Sequence, residues 1–276
     1  MKKRKIQIFL LATFTLLLLF IVVGLNNGLT ETWYTIETSK VNKPIRIALL
    51  TDLHSCRHGE GQIDLVSKIN QAEPDLVLMS GDIADDWMPH EGTTQLLEKI
   101  GEVYDCYYVT GNHEAWTGDL DFIKNMFRDY GVTVLEGDCA ILEVNDVKIN
   151  LCGVDDPDAE EIIFEEQLDA AFSSVEPGLF TILLSHRPER FAQYLEYDCD
   201  LILSGHAHGG QWRIPYLLHG LYAPNQGLFP KYTSDFYQSG ETQMLVSRGL
   251  SRESTRIPRF FNPPEIVFID ILPANE

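Results

Sequence analysis

The chain has 276 residues, enough for one or two domains, and its 45% hydrophobic content is that of a globular protein. It carries 41 acidic against 21 basic residues, a formal charge of −20, and four of the basic residues are clustered at Lys2, Lys3, Arg4 and Lys5. Nucleic acid is therefore excluded as a broad-surface partner, because neutralising its phosphates needs clustered Lys and Arg. A small phosphate ester drawn in by metal ions is compatible with this charge.

Residues 6–25 form an uncharged run of twenty, rich in Leu, Ile, Phe and Val. That is long enough to cross a hydrocarbon core as a helix, and the basic tail 1–5 should stay cytoplasmic. The rest of the chain then lies outside the cytoplasm, at the cell membrane. A cleaved signal peptide is the rival reading. The run is long for a signal peptide, and Val22-Val23-Gly24 is a poor cleavage site, so an uncleaved single-pass anchor is expected. Residues 26–43 read as a linker followed by an edge strand over 33–39.

From residue 44 onward, apolar runs alternate with helical periodicity. Strands are expected at 45–50, 76–79, 104–109, 180–184 and 201–203. Helices are expected at 62–71, 93–100, 120–130, 162–172 and around 188–196. This is the rhythm of an α/β domain with helices on the sheet faces. Strand-like stretches at 133–135, 140–144 and 147–151 suggest a mixed sheet, and 244–247 and 266–271 complete the set. Asn145-Asp146 reads as a two-residue hairpin turn, which places Cys139 opposite Cys152. Facing Cβ atoms on paired strands lie about 4.5–5.5 Å apart, so the two cysteines admit either a disulfide or two buried thiols. The five cysteines include no CxxC pair, which argues against a structural zinc knuckle.

The chemistry-bearing residues stand at strand ends. Asp52-Leu53-His54 follows the first strand, Gly81-Asp82 the second, and Gly111-Asn112-His113-Glu114 the third. Ser185-His186 and Gly205-His206-Ala207-His208 follow the strands at 180–184 and 201–203. Ligands of such folds bind beyond the carboxyl ends of the strands. Asp52 and His54 are two apart, as are His206 and His208, so each pair points one way in an extended segment. A lone Asp at a strand end is usually a helix cap or a solvated turn. Here five motifs repeat the pattern, and five of the eight histidines fall within them. Hard oxygens mixed with imidazoles suit Mn, Fe or Zn.

The order D-x-H, GD, GNHE, H and GHxH resembles the calcineurin-like metallophosphoesterases, over residues 44–276. Pro74-Asp75-Leu76-Val77, Gly209-Gly210-Gln211, Ser247-Arg248-Gly249-Leu250 and Asn262-Pro263-Pro264-Glu265 resemble a membrane-anchored bacterial subgroup. That subgroup includes the YkuE-like phosphoesterases and is similar to enzymes that hydrolyse UDP-2,3-diacylglucosamine. The resemblance implies a four-layer αββα sandwich of two mixed sheets flanked by helices. It implies two divalent metal ions: Asp52, His54 and His208 hold the first, Asn112, His186 and His206 the second, and Asp82 bridges them. A metal-activated hydroxide then attacks phosphorus. His113 protonates the leaving oxygen or binds the phosphoryl group. Asp85, three residues after the bridging Asp, is expected to orient His113, and the adjacent Asp86 is not separated from it.

The expected substrate is a phosphodiester or pyrophosphate, lipid-linked or a nucleotide sugar. Residues 211–237, rich in aromatics, Gly and Pro, either wall the site or pack on themselves. Arg213, Lys231, Arg248 and Arg252 are candidate cations for a second phosphate. Cys56, two residues after His54, reads as a small loop residue near the first metal. The competing function is a metal-dependent binding or sensing protein with negligible turnover, against which the intact His113 argues.

Overall fold

The computed structural model describes residues 2–252 and 257–274. Its first element is helix α1 (Lys2–Gly24), whose apolar side chains from Ile6 to Val23 are exposed on every side. A helix apolar all round and touched by the rest of the protein only at its end, through Phe20 and Gly24, is the pattern of a membrane span.

The first sheet takes β1 (Thr30–Thr38), β2 (Ile45–Leu50), β3 (Leu76–Ser80), β4 (Asp105–Val109), β5 (Thr133–Val134) and β14 (Glu265–Pro273), in the order β1-β14-β2-β3-β4-β5. Strands β2 to β5 are parallel, while β14 runs antiparallel to β2 and parallel to the edge strand β1. The second sheet takes β6 (Asp138–Val144), β7 (Val147–Gly153), β8 (Phe180–Leu184), β9 (Leu201–Ser204), β12 (Asp235–Ser239) and β13 (Thr242–Val246), in the order β12-β13-β9-β8-β7-β6. Both sheets are mixed. A short hairpin, β10 (Tyr222–Ala223) and β11 (Gly227–Leu228), lies apart from them.

Alternation along the strands assigns the layers. Ile45, Ile47, Leu49 and Leu78 meet Ile149, Leu151, Ile182 and Leu203 in a core between the two sheets. The opposite residues of the first sheet, Ala48, Leu50, Val77 and Met79, pack under α2 (Ile63–Ala72), α3 (Glu91–Ile100) and α5 (Leu120–Asp129) through Leu65, Leu96 and Phe127. Those of the second, Cys152, Leu183 and Ile202, pack under α6 (Glu161–Ser173) and α7 (Phe191–Tyr194) through Phe164, Leu168 and Tyr194. The result is the four-layer sandwich that the family resemblance implied.

Differences from the expected elements are local. The helix expected around 188–196 is a single turn, Pro188–Arg190, followed by the four residues of α7, because Pro188 starts the turn and the chain must reach β9 at Leu201. The aromatic stretch 211–237 contributes β10, β11 and the start of β12, which its lack of periodicity concealed. A short helix, α4 (Asn112–Trp116), begins directly at the third motif. The Asn145-Asp146 turn has φ of 53° and 62°, as a tight hairpin turn requires. Its register pairs Cys139 with Cys152, whose sulfurs lie 2.7 Å apart.

Candidate metal centre

Because β2, β3 and β4 are parallel, as are β8 and β9, their carboxyl ends open on one edge. The two edges are tied together: Ser80 Oγ donates to the Leu203 carbonyl at 2.8 Å, and His186 Nδ1 donates to the Ser80 carbonyl at 2.8 Å. The five motifs therefore meet at one point. Two groups of ligand atoms form there, each within 4.8 Å of one another: Asp52, His54, Asp82 and His208, and Asp82, His186 and His206. Asp82 belongs to both. A third group joins His54 to Asp85 and His113.

The backbone is bent to bring the side chains inward. Asp52, His54, Asp82, His206 and His208 all have φ between 46° and 65°, the left-handed region that non-glycine residues avoid. Backbone donors hold the bends: His206 N–H donates to Asp52 Oδ1 and His113 N–H to Asp82 Oδ1, both at 2.9 Å. Glu114 is wholly buried and accepts from the N–H groups of Asp82, Ala84 and Gly111 at 2.7–2.9 Å. It clamps the β3 loop to the start of α4.

Hydrogen bonds behind the imidazoles choose which nitrogen faces the centre. Nδ1–H of His186 is taken by Ser80, leaving Nε2, which stands 3.1 Å from Asp82. His54 turns Nδ1 to Asp85 at 3.1 Å and Nε2 to within 3.6 Å of Asp82. His208 Nδ1 lies 3.1 Å from Ser251 Oγ, to which Arg259 also donates. Nε2 of His206 faces Asn225 at 3.0 Å, beside Arg187, whose guanidinium grips Asp156 bidentately at 2.6 and 2.7 Å.

Buried charge is concentrated here without full compensation. Burial pushes the Asp52 carboxyl up. Burial acts the same way on Asp82, but the imidazoles of His186, His54 and His113 outweigh it and hold that carboxyl well below the usual range. Burial keeps His206 and His208 neutral. Among the described residues, Asp52 Oδ2 and Asn112 Oδ1 are buried without a hydrogen-bond partner. The Nε2 atoms of His54 and His208 face each other at 3.3 Å. Orphaned acceptors and converging imidazole nitrogens among buried side chains fit cations: unpaired they are costly, whereas an oxygen and nitrogen donor set suits Mn, Fe or Zn.

His113 stands at the rim. Its Nδ1 is 2.6 Å from Asp86 Oδ1 and 3.3 Å from Asp85 Oδ2. Burial lowers its pKa, yet the Asp85 hydrogen bond and the charges of Asp82, Asp85 and Asp86 raise it to about 9. Asp85 bridges His54 and His113, and Asp86 makes the shorter contact with His113. Of the four candidate cations, Arg252 lines a cavity of about 430 Å³ with Ser55, Arg57, Met88 and Glu91. Arg248 is paired with Glu265, Arg213 with Ser234, and Lys231 lies over the Tyr232 ring. Cys56 is wholly buried beneath the loop.

Several residues that complete the centre escaped the sequence reading. Glu114 had a signal, since G-x-x-E at a helix start is a capping pattern. Arg187, Asn225, Ser251 and Arg259 had none, because they come from separate loops.

An α/β sandwich with buried Asp, Asn and His residues at the shared edge of two sheets is the architecture of a metal-dependent hydrolase. Residues 45–210 match the calcineurin-like phosphoesterase family, and the chain belongs to it. It is similar to an uncharacterized metallophosphoesterase of Helicobacter pylori strain J99, 32% identical over 255 residues, which cover 87% of this chain and 63% of that protein. It is also similar to the uncharacterized metallophosphoesterase YkuE of Bacillus subtilis strain 168, 31% identical over 217 residues, covering 76% of this chain and 72% of that protein. The chain thus spans less than two thirds of the Helicobacter relative's length. Among solved structures, the phosphopantetheinyl hydrolase of Mycobacterium tuberculosis shares the fold, with a TM-score of 0.51 at 13% identity over 75% of this chain and 89% of that one.

Proposed function

We propose that the chain hydrolyses a phosphodiester or pyrophosphate bond using two divalent cations. Asp52, His54 and His208 would hold one, Asn112, His186 and His206 the other, and the Asp82 carboxylate both. The observation that carries this reading is the pair of buried ligand groups sharing Asp82, beside orphaned acceptors. Divalent cations bound there supply a nucleophile at neutral pH and offset charge on the phosphoryl oxygens.

The chain's own side chains do the rest. Asp86 and Asp85 hold His113 by Nδ1 and stabilise its imidazolium, leaving Nε2 to deliver a proton to the leaving oxygen. Asp85 also fixes the ring of His54. The cavity beside Ser55, with Arg57 and Arg252 on its wall, receives the rest of the substrate, including a second phosphate. Helix α1 anchors the protein at the membrane with the centre outside the cytoplasm, and this favours a lipid-linked or nucleotide-sugar substrate.

The test is turnover of bis-p-nitrophenyl phosphate by the full chain with Mn²⁺, Fe²⁺ or Zn²⁺, alongside metal analysis of Asp82→Asn. The wild type should turn over, and the variant should lose most of one metal and nearly all rate. No turnover with any of the three metals, or a fully active Asp82→Asn carrying two metals, overturns the proposal.

A further inference from the structure

Helix α1 is docked onto the domain where it leaves its apolar run. Phe261 N–H donates to the Gly24 carbonyl at 2.6 Å, and the Phe20 ring packs on Phe260 and Phe261 with centroids 5.7 and 4.8 Å away. Phe20 precedes Gly24 by four residues, about 6 Å along a helix, so these rings stand level with the last apolar turn. Trp212 joins them, its ring 5.6 Å from that of Phe260. The chain after Trp212 is held to the same place: Arg213 N–H donates to the Phe260 carbonyl at 2.8 Å, and Ile214 pairs with Leu218 to close a turn.

At the tip of that turn Tyr216 is 101% exposed and its neighbour Leu217 83%; adjacent exposed apolar side chains of this kind mark interaction sites when they extend a larger apolar patch, here the exposed face of α1. A cavity of about 220 Å³ beneath the tip is lined by Tyr216 and by Phe261, the ring that touches Phe20. Arg213, His219 and Arg248 line the same cavity. Aromatic and apolar side chains beside basic groups, level with the end of a membrane span, are the composition of the bilayer interface.

We infer that the turn 212–218 is a membrane wedge, with Tyr216 and Leu217 inserted among the headgroups of the leaflet from which α1 emerges. Its partner is a phospholipid surface. This rests on the proposed reading of Lys2–Gly24 as a membrane span. Asn262 links the wedge to the centre, since its Nδ2 donates to the carbonyls of both His208 and Gln211 at 2.7 and 3.2 Å. The wedge therefore holds the candidate metal centre at headgroup level, where a lipid's phosphoester lies.

The experiment places the full-length chain in phosphatidylcholine–phosphatidylglycerol nanodiscs that mix lipids brominated near the headgroup with lipids brominated near the acyl-chain ends, so that the interface and the bilayer centre are both quenched. Tryptophan emission is compared with the wild type for Tyr216→Trp and Leu217→Trp. Phe14→Trp inside the span and Ile141→Trp on the exposed face of β6 are the references. The added signal at 216 and 217 should be quenched at least twofold, as at 14, while that at 141 stays unchanged. Quenching at 14 without quenching at 216 or 217 overturns the wedge alone, and a second chain covering the turn gives that same result. Absence of quenching at 14 overturns the span reading and the wedge with it. Turnover plays no part in the measurement, so an inactive protein counts only against the phosphoesterase proposal.

Discussion

The imidazoles at the centre are held by partners on the side away from it, and this separates the roles of neighbouring residues. His113 leans on Asp86 and Asp85, whereas its neighbour Asn112 leaves Oδ1 unpartnered. His113→Ala is therefore expected to keep both metals and lose rate by ~10²–10⁴-fold, the usual contribution of a general acid. The loss should shrink for p-nitrophenolate, which departs as a stable anion, and persist for an alkyl diester of the same phosphate. Equal losses on both substrates would assign His113 to phosphoryl binding, and loss of metal would contradict its placement outside the ligand set. A second histidine bears on stability. His58 is buried and hydrogen-bonded to the Leu250 carbonyl at 2.8 Å; burial first, and the nearby Arg252 and Arg259 charges next, lower its pKa from 6.5 to about 4. The folded state thus resists a proton that the unfolded chain accepts. The stability contributed is complete above pH 6.5 and is lost as pH falls from 6.5 to 4, by up to roughly 3 kcal/mol. Melting temperature against pH should be shallower over that window in His58→Gln than in the wild type; parallel curves would refute the assignment.

At the scale of elements, the centre depends on how closely the loops after β3 and β4 approach each other. Gly111, the residue before α4, lies where an added Cβ would meet Asp82 Oδ1 at 2.3 Å and Asp82 N at 2.5 Å. Gly81, with φ of 79°, sits likewise against the His186 ring at 2.5 Å. These glycines let one loop touch another's ligand. Gly111→Ala should displace Asp82 while the sheets persist. Misplacement of this order costs ~10²-fold in rate and ~1–3 kcal/mol in stability. Metal content, rate and far-ultraviolet dichroism measured together check this: a variant with native metal content and native rate would show that the approach is not needed.

For the molecule as a whole, the arrangement sets a direction. The basic residues Lys2 to Lys5 precede the apolar run, and the domain follows it. By the positive-inside rule we propose that the domain lies outside the cytoplasm. A C-terminal reporter that works only outside the cytoplasm should be active in the full-length fusion, and a fluorescent protein that matures only inside should stay dark. The reverse pair of results would place the centre inside the cell.

Much of this was legible in the chain because it is written locally. A strand period of two, a turn dipeptide such as Asn145-Asp146 and a short motif at a strand end each depend on a few neighbouring residues. The hairpin register that opposes Cys139 to Cys152 followed from counting alone. The two sheets were implied by the family resemblance; parallel strands bring Asp52, Asp82 and Asn112 to one edge of the first and His186 and His206 to one edge of the second. What the chain did not display is everything fixed by approach in three dimensions. Asp86, not only Asp85, reaches His113, because the loop curls after β3. Arg187 with Asp156, Asn225 behind His206, and Arg259 with Ser251 behind His208 join residues from separate loops with no common period. The docking of Phe20 on Phe260 and Phe261 joins the two ends of the chain. Local periodicity carries the identity and order of the elements, because backbone geometry repeats every two or 3.6 residues. Which side chains support the centre is set by loop-to-loop packing, which has no period and appears only in the folded structure.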